Sequence, residues 1–254
     1  YEDSKATSVE KDGVGVLVDT PLGRVRAGKV ALGTNAFKPL LKRLGHYVAP
    51  VYDYCLVTEP LTPAQLASIG WQNRQGISDI PNQFHYYRLT ADNRILWGGY
   101  DAMYYFRGKM NTELESRPES WALLSQHFFQ TFPQLEGVRF SHAWGGAIDT
   151  CSRFSPFWGT DFDGKVAYVL GYTGLGVATT RFGASTMLDL LDGIESEATE
   201  LSMVKHKPIP FPPEPFRFLF IRLTQWSITR ADKNEGKRNL WLKLLDRLGL
   251  GFDS

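Results

Sequence analysis

Residues 171–183 read Gly171-Tyr172-Thr173-Gly174-Leu175-Gly176-Val177-Ala178-Thr179-Thr180-Arg181-Phe182-Gly183, a glycine-dense stretch between two contrasting patterns. The apolar run Val166-Ala167-Tyr168-Val169-Leu170 precedes it, and a helical pattern follows it as far as Gly193. This is strand, turn, helix. Glycines in such a turn allow positive φ and close approach of a ligand to the backbone. The helix start adds unpaired N–H groups and about half a positive charge. The stretch therefore predicts a turn that faces something electron-rich. A dinucleotide fingerprint would also need a following strand that ends in an acidic residue about 20 residues on, to hold ribose. After Asp192-Gly193 the chain instead turns polar, which argues against a nicotinamide dinucleotide here. Taken alone, the glycines fit a tight structural turn equally well.

The chain around this stretch has 254 residues, ample for a sizeable core in one large domain or two joined ones. It is 43% hydrophobic and 22% charged, with 28 Lys plus Arg against 27 Asp plus Glu. A net charge of +1 carries no phosphate-backbone footprint, so nucleic acid is not an expected partner. Two cysteines, Cys55 and Cys151, fit a reducing compartment, and a cytoplasmic location is expected. No apolar run approaches the ~18 residues of a transmembrane helix.

Residues 1–37 predict short strands, with Val14, Val16 and Val18 alternating and a turn at Pro21-Leu22-Gly23. A short helix is expected at Pro39–Leu44 and a strand over Tyr47–Thr58. Thr62-Pro63-Ala64-Gln65 reads as a capping box opening a helix that stops at Gly70, and Ser116-Arg117-Pro118-Glu119 as a second one. Gln83–Leu89 and Arg94–Tyr100 predict a hairpin. Trp121, Leu124, Phe128 and Phe132 mark one helix face, and Val138–Ile148 a strand. Five prolines between Pro208 and Pro215 predict an extended segment, followed by helices around Phe216–Leu223 and Trp241–Leu248. Lys237, Arg238, Lys243 and Arg247 lie near the second of these. Docking on the protein itself is expected in preference to a membrane surface.

Three further motifs stand in a fixed order with the glycine stretch. They are Val30-Ala31-Leu32-Gly33-Thr34-Asn35-Ala36, Arg94-Ile95-Leu96-Trp97-Gly98-Gly99, and Trp144-Gly145-Gly146-Ala147-Ile148-Asp149-Thr150 with Pro156-Phe157-Trp158-Gly159. Together they resemble the later two-thirds of the FAD-dependent D-amino-acid oxidase-like family, the group of glycine, sarcosine and γ-glutamylputrescine oxidases. The resemblance covers residues 1 to about 195. It implies a mixed α+β and α/β fold in which a partial FAD-binding domain of the GR2 type is interleaved with a mixed-sheet substrate-binding domain. Residues 1–37 and 141–198 would belong to the FAD-binding domain, 38–140 to the substrate-binding domain, and 199–254 to a Pro-rich linker with C-terminal helices. The chain starts at Tyr1 without the βαβ unit that holds the ADP part of FAD in this family. It is therefore expected to be a C-terminal portion, incomplete and inactive alone.

The resemblance further implies non-covalent FAD as cofactor and oxidation of a C–N bond in a small amine or amino acid, with oxygen as a possible acceptor. Cofactor-binding residues would be Thr34, Asn35, Trp144, Gly145, Gly146, Gly171, Thr173, Gly174, Leu175, Gly176 and Val177. The helix after the loop would point its N-terminus at the pyrimidine edge of the flavin. An arginine that pairs with substrate carboxylate in amino-acid oxidases falls at Ile148, and the usual Asp falls at Arg153. Catalytic candidates are His85, Tyr86, Tyr54 and Arg153, with alternation placing Tyr86 opposite His85 and Tyr87. Cys151 reads as an inert thiol. No metal is expected, because His142, Asp149 and Cys151 match no familiar ligand spacing. The alternative function is a non-catalytic binding domain that kept the flavoprotein fold.

Overall fold

A computed structural model describes residues 1–250. In chain order the elements are β1 (Ser8–Asp12), β2 (Gly15–Thr20), β3 (Gly23–Ala27), β4 (Val30–Leu32) and β5 (Ala49–Thr58). Then come α1 (Pro63–Ile69), β6 (Ile77–Ser78), β7 (His85–Leu89), β8 (Ile95–Gly99), β9 (Met103–Tyr104) and α2 (Pro118–Thr131). β10 (Phe140–Thr150), β11 (Phe157–Asp161), β12 (Val166–Leu170) and α3 (Gly176–Asp192) follow. The tail holds α4 (Glu197–Glu200), α5 (Ser202–Lys205), α6 (Phe216–Lys233) and α7 (Leu240–Arg247). The chain divides into two compact units.

The first unit gathers Tyr1–Pro50, Ile148–Arg217 and residues 246–250. β1, β2 and β3 form an antiparallel meander. A second sheet runs in the order β11-β12-β4, with β12 parallel to β4. All five residues of β12 are buried, because both of its faces are covered. Val166, Tyr168 and Leu170 join a cluster with Val16, Leu44 and Phe157. Ala167 and Val169 pack with Trp158, Met187 and Leu191 under α3. That double burial explains why this run is continuously apolar and does not alternate. The proline-rich stretch carries neither helix nor strand, as its sequence predicts. It is tied to this unit by Phe211 N–H donating to the His46 carbonyl at 2.7 Å.

The second unit gathers Val51–Ala147 and Phe218–Leu245. Its sheet has the order β10-β5-β8-β7-β6, with β9 paired to β5. β7 and β8 are the expected hairpin, closed by Thr90 N–H to the Arg94 carbonyl at 2.9 Å. One sheet face is sealed by α2 and the turn after it: Tyr52, Tyr54, Leu56, Ile95 and Trp97 meet Leu124 and Phe128 of the helix and Leu135 of the turn. α1 begins with the predicted capping box between Thr62 and Gln65 and ends on Gly70 at φ 65°. The second predicted box does not form. α2 starts at Pro118 with Arg117 as an N-cap that makes no side-chain capping bond. Ser116 instead closes the preceding turn, its N–H donating to Glu113, while the Arg117 guanidinium pairs with Asp101 at 2.6 Å. The helix expected at Pro39–Leu44 is a 3-10 turn at Lys42–His46.

α6 docks on this unit through Asp232. Its carboxylate accepts from the N–H groups of Asn82 at 3.1 Å and Gln83 at 2.9 Å. Trp241 of α7 stacks edge-on against Phe220 and donates to Thr224 Oγ1 at 3.0 Å. Docking on the protein is thus what the tail helices do. No helix among the described residues is long and apolar enough to cross a membrane.

Candidate functional site

The parallel pair β4 and β12 aligns Val30 with Val166 and Leu32 with Tyr168, so the loops after both strands leave from one edge. Ligands of open parallel sheets collect at such carboxyl ends. The loop after β4 holds Thr34 and Asn35, the latter at φ 48°. The loop after β12 holds Gly171 at φ 83°, Thr173 at φ 52° and Gly174 at φ 86°. The left-handed turns bring the chain to Leu175, whose N–H returns to the Tyr172 carbonyl at 2.9 Å. α3 then begins at Gly176 with no side-chain cap. Its first N–H groups are left for another acceptor.

The loop is braced from below by a residue 22 positions upstream. Asp149, 2% exposed, accepts the Gly171 N–H at 2.7 Å. Burial pushes the Asp149 carboxyl above the usual carboxylate range, opposed by backbone hydrogen bonds from Gly171, Tyr172 and Thr173. Thr173 Oγ1 accepts from the Cys151 N–H at 3.3 Å and donates to the Gly171 carbonyl at 3.1 Å. Gly183 of α3 is required for room, since a Cβ there would lie 2.0 Å from Tyr172 Oη. Above the loop there is space. A Cβ on Gly174 would meet only Ile148 Cδ1 at 3.6 Å, and one on Gly176 only Thr180 Cγ2 at 3.5 Å. Leu175 and Val177 expose apolar side chains beside the free N–H groups. N–H donors flanked by apolar surface, on a cradle that side chains would fill, fit the edge of a flat heteroaromatic ring such as a flavin.

Thr34, Asn35 and Gly171–Val177 are thus brought to one edge of the first unit. Trp144, Gly145 and Gly146 lie on β10 in the second unit. Gly145 faces the core, where a Cβ would stand 2.5 Å from the Tyr54 ring, and nothing lies within 4 Å of one on Gly146. Of the catalytic candidates, Tyr54 is fully buried, donating to the Leu114 carbonyl at 2.8 Å. His85 is packed against Trp97 and Tyr100, with Nδ1 2.7 Å from Asp79 Oδ2 and Nε2 2.9 Å from His127 Nδ1. Burial holds His127 below the usual imidazole range, helped by His85. The Arg153 guanidinium donates to the carbonyls of Pro156, Met203 and His206 at 2.7, 2.9 and 2.8 Å.

Tyr86 stands apart from these. It lies on the opposite sheet face and donates to Asp53 Oδ2 at 2.6 Å, with Cys55 Sγ 3.0 Å from its hydroxyl. Burial pushes the Cys55 thiol up to about 11. The motifs singled out in the sequence did not include Asp53. Its signal was a charge alternating with Tyr52 and Tyr54 in a strand otherwise rich in apolar residues.

The chain belongs to the FAD dependent oxidoreductase family (DAO), whose profile matches residues 1–190. It is 30% identical to a probable oxidoreductase OrdL of Haemophilus influenzae over 73% of this chain and 40% of that protein. It is likewise 30% identical to the gamma-glutamylputrescine oxidoreductase of Escherichia coli, over 83% of this chain and 47% of the relative. Among solved structures, glycine oxidase from Geobacillus kaustophilus superposes with a TM-score of 0.66 at 18% identity, over 81% of this chain and 53% of that one. The iminodiacetate oxidase of Chelativorans sp. BNC1 gives 0.61 at 16%, over 82% and 53%. The fold is that of FAD-binding oxidoreductases. The chain spans about half the length of the curated relatives it matches.

The brace can be tested. Asp149→Ala leaves the Gly171 N–H without its acceptor in the protein interior, at a cost of about 1–3 kcal/mol. Urea unfolding of the variant is expected to show that loss, and flavin affinity of the intact protein to fall at least tenfold. Stability and affinity equal to wild type would mean that the loop holds itself.

Proposed function

We propose that this chain is part of a flavoenzyme that oxidises a C–N single bond of an amine or amino acid. Hydride would pass to FAD, and the resulting imine would be hydrolysed by water. The observation that carries the reading is the uncapped N-terminus of α3 behind a left-handed loop at the ends of two parallel strands. Flavin, when bound, supplies the electron-accepting chemistry. The residues of this chain do the holding. The N–H groups of Gly176 and Val177 would meet the pyrimidine edge, where negative charge grows on reduction. A helix terminus stabilises such charge by roughly 1 kcal/mol, equivalent for two electrons to about 20 mV. Leu175 and Val177 would exclude water from that edge, and Thr34 and Asn35 would add contacts from the neighbouring loop. The Cys151 thiol is fully buried and donates to the Ser155 carbonyl at 3.1 Å, which favours non-covalent attachment. Two free buried thiols favour a reducing, cytoplasmic setting.

Ile148 places an apolar group beside the loop, where an amino-acid oxidase would hold an arginine for substrate carboxylate. Amines and modified amino acids are therefore expected to reduce the flavin of the intact protein faster than glycine or alanine. The test is anaerobic bleaching of the visible spectrum by a panel of both kinds. A yellow protein bleached fastest by glycine or alanine would reverse the substrate preference. A colourless protein, or one that nothing bleaches, would favour a non-catalytic binding domain.

A further inference from the structure

The sheet of the second unit has one face sealed by α2, and its other face carries an acid that no cationic side chain among the described residues pairs with. Alternation along β5 turns Tyr52, Tyr54 and Leu56 into the core, which leaves Asp53 and Cys55 on the far side. Tyr86 of β7 and Gly98 of β8 share that side, since Tyr86 pairs with Gly98 in the ladder. Gly98 is needed there: a Cβ would stand 2.7 Å from both Cys55 Sγ and Tyr86 Oη. Its absence lets the phenol lie across to Asp53. On β10, Gly145 points at Tyr54, so its neighbours Trp144 and Gly146 fall on the same side as Asp53. Trp144 is 43% exposed, and the position above Gly146 is open.

The Asp53 carboxylate is fixed but not neutralised. Oδ1 accepts the Tyr54 N–H at 2.9 Å, and Oδ2 accepts the Tyr86 hydroxyl at 2.6 Å. The Gly99 backbone adds a further hydrogen bond, and a carboxylate with about four lone-pair sites still has one to give. Among the described residues no lysine, arginine or histidine forms an ion pair with it. Burial pushes its carboxyl above the ordinary range, partly offset by the Tyr86 hydrogen bond. A partly buried carboxylate held by Tyr86 and by backbone donors of Tyr54 and Gly99, on a face with an exposed indole and an open position above Gly146, is complementary to an organic cation. We propose that Asp53 is the charge partner for the ammonium group of the substrate, with Tyr86 as the residue that positions it, and that the site takes an alkylammonium ion. This rests on the amine-oxidoreductase reading above and narrows it to substrates recognised through the nitrogen.

The test compares the intact flavoprotein with its Asp53→Asn and Asp53→Glu variants, titrated with n-butylammonium and with butyrate. Binding is read both as perturbation of the flavin spectrum and by calorimetry. Asn preserves an acceptor for the Tyr54 N–H and places an amide donor toward Tyr86, so a melting temperature and flavin content near wild type are expected. Butylammonium affinity is expected to fall at least tenfold in Asp53→Asn and to be largely kept in Asp53→Glu. Butyrate binding is expected to stay unchanged or to tighten. Equal butylammonium affinity in wild type and Asp53→Asn would overturn the assignment, as would a wild type that binds butyrate but not butylammonium, or neither. If the intact protein carries no flavin, the oxidoreductase reading fails separately, and calorimetry with butylammonium still decides the role of Asp53.

Discussion

Intact protein carrying Gly174→Val is expected to purify with less than a tenth of the wild-type flavin. Gly174 sits at φ 86°, in the left-handed region that β-branched residues scarcely enter. The left-handed conformation costs an ordinary residue about 1–2 kcal/mol, before any ligand contact is counted. The new side chain would also project into space where only Ile148 now comes near. Gly176 separates the two effects. It begins α3 without positive φ, and a Cβ there makes an ordinary 3.5 Å contact with Thr180. Gly176→Val therefore leaves the loop unstrained, and any flavin it loses reports contact with the ring alone. The flavin-to-protein absorbance ratio measures both variants. Wild-type ratios in the two together would take the loop out of the site.

Trp97→Ala is expected to lower the stability of the second unit by about 3–5 kcal/mol. Trp97 is fully buried, with His85 at 4.6 Å, Tyr87 at 4.8 Å, Phe128 at 5.7 Å and Phe132 at 6.0 Å between ring centroids. Removing the indole leaves a cavity ringed by rigid aromatics that cannot close over it. The Trp97 N–H has no hydrogen-bond partner among the described residues, so Trp97→Phe sacrifices no hydrogen bond and is expected to cost less. The measurement is the guanidinium midpoint of each variant. A loss below 1 kcal/mol for the alanine variant would mean that this sheet is not held by its aromatic core.

Local physics made several of these elements legible in advance. A Thr62–Gln65 box, a left-handed Gly70 and the α2 stripe of Leu124 and Phe128 depend on neighbours within a few residues. The same short range accounts for the error at Ser116, where the spacing fits a cap but Asp101, 16 residues before Arg117, draws the arginine elsewhere. The glycine loop could be located from its own residues, but its brace could not. The Asp149 to Gly171 bond joins residues 22 apart through a sheet whose order no periodicity reveals. The Asp53–Tyr86 pair depends on the order β5-β8-β7, which puts residues 33 apart on one face. Arg153 is similar. Its partners at Met203 and His206 come from a segment that reads in sequence only as the approach to a proline-rich linker.

The packing of one side chain in the first unit has an optical consequence. Of the seven tryptophans, Trp158 alone lies within residues 1–50 and 148–217; the other six belong to the second unit. Trp158 is 1% exposed, and its indole N–H donates to the Gly183 carbonyl at 3.0 Å. Trp71, Trp97 and Trp121 in the second unit have buried indole N–H groups with no partner among the described residues. The second unit mixes such indoles with the hydrogen-bonded Trp241 and the exposed Trp144 and Trp226, so its emission is composite, whereas that of the first unit comes from Trp158 alone. Trp158→Phe removes the signal of the first unit and leaves that of the second. The difference between variant and wild type then follows the unfolding of the flavin-loop unit alone.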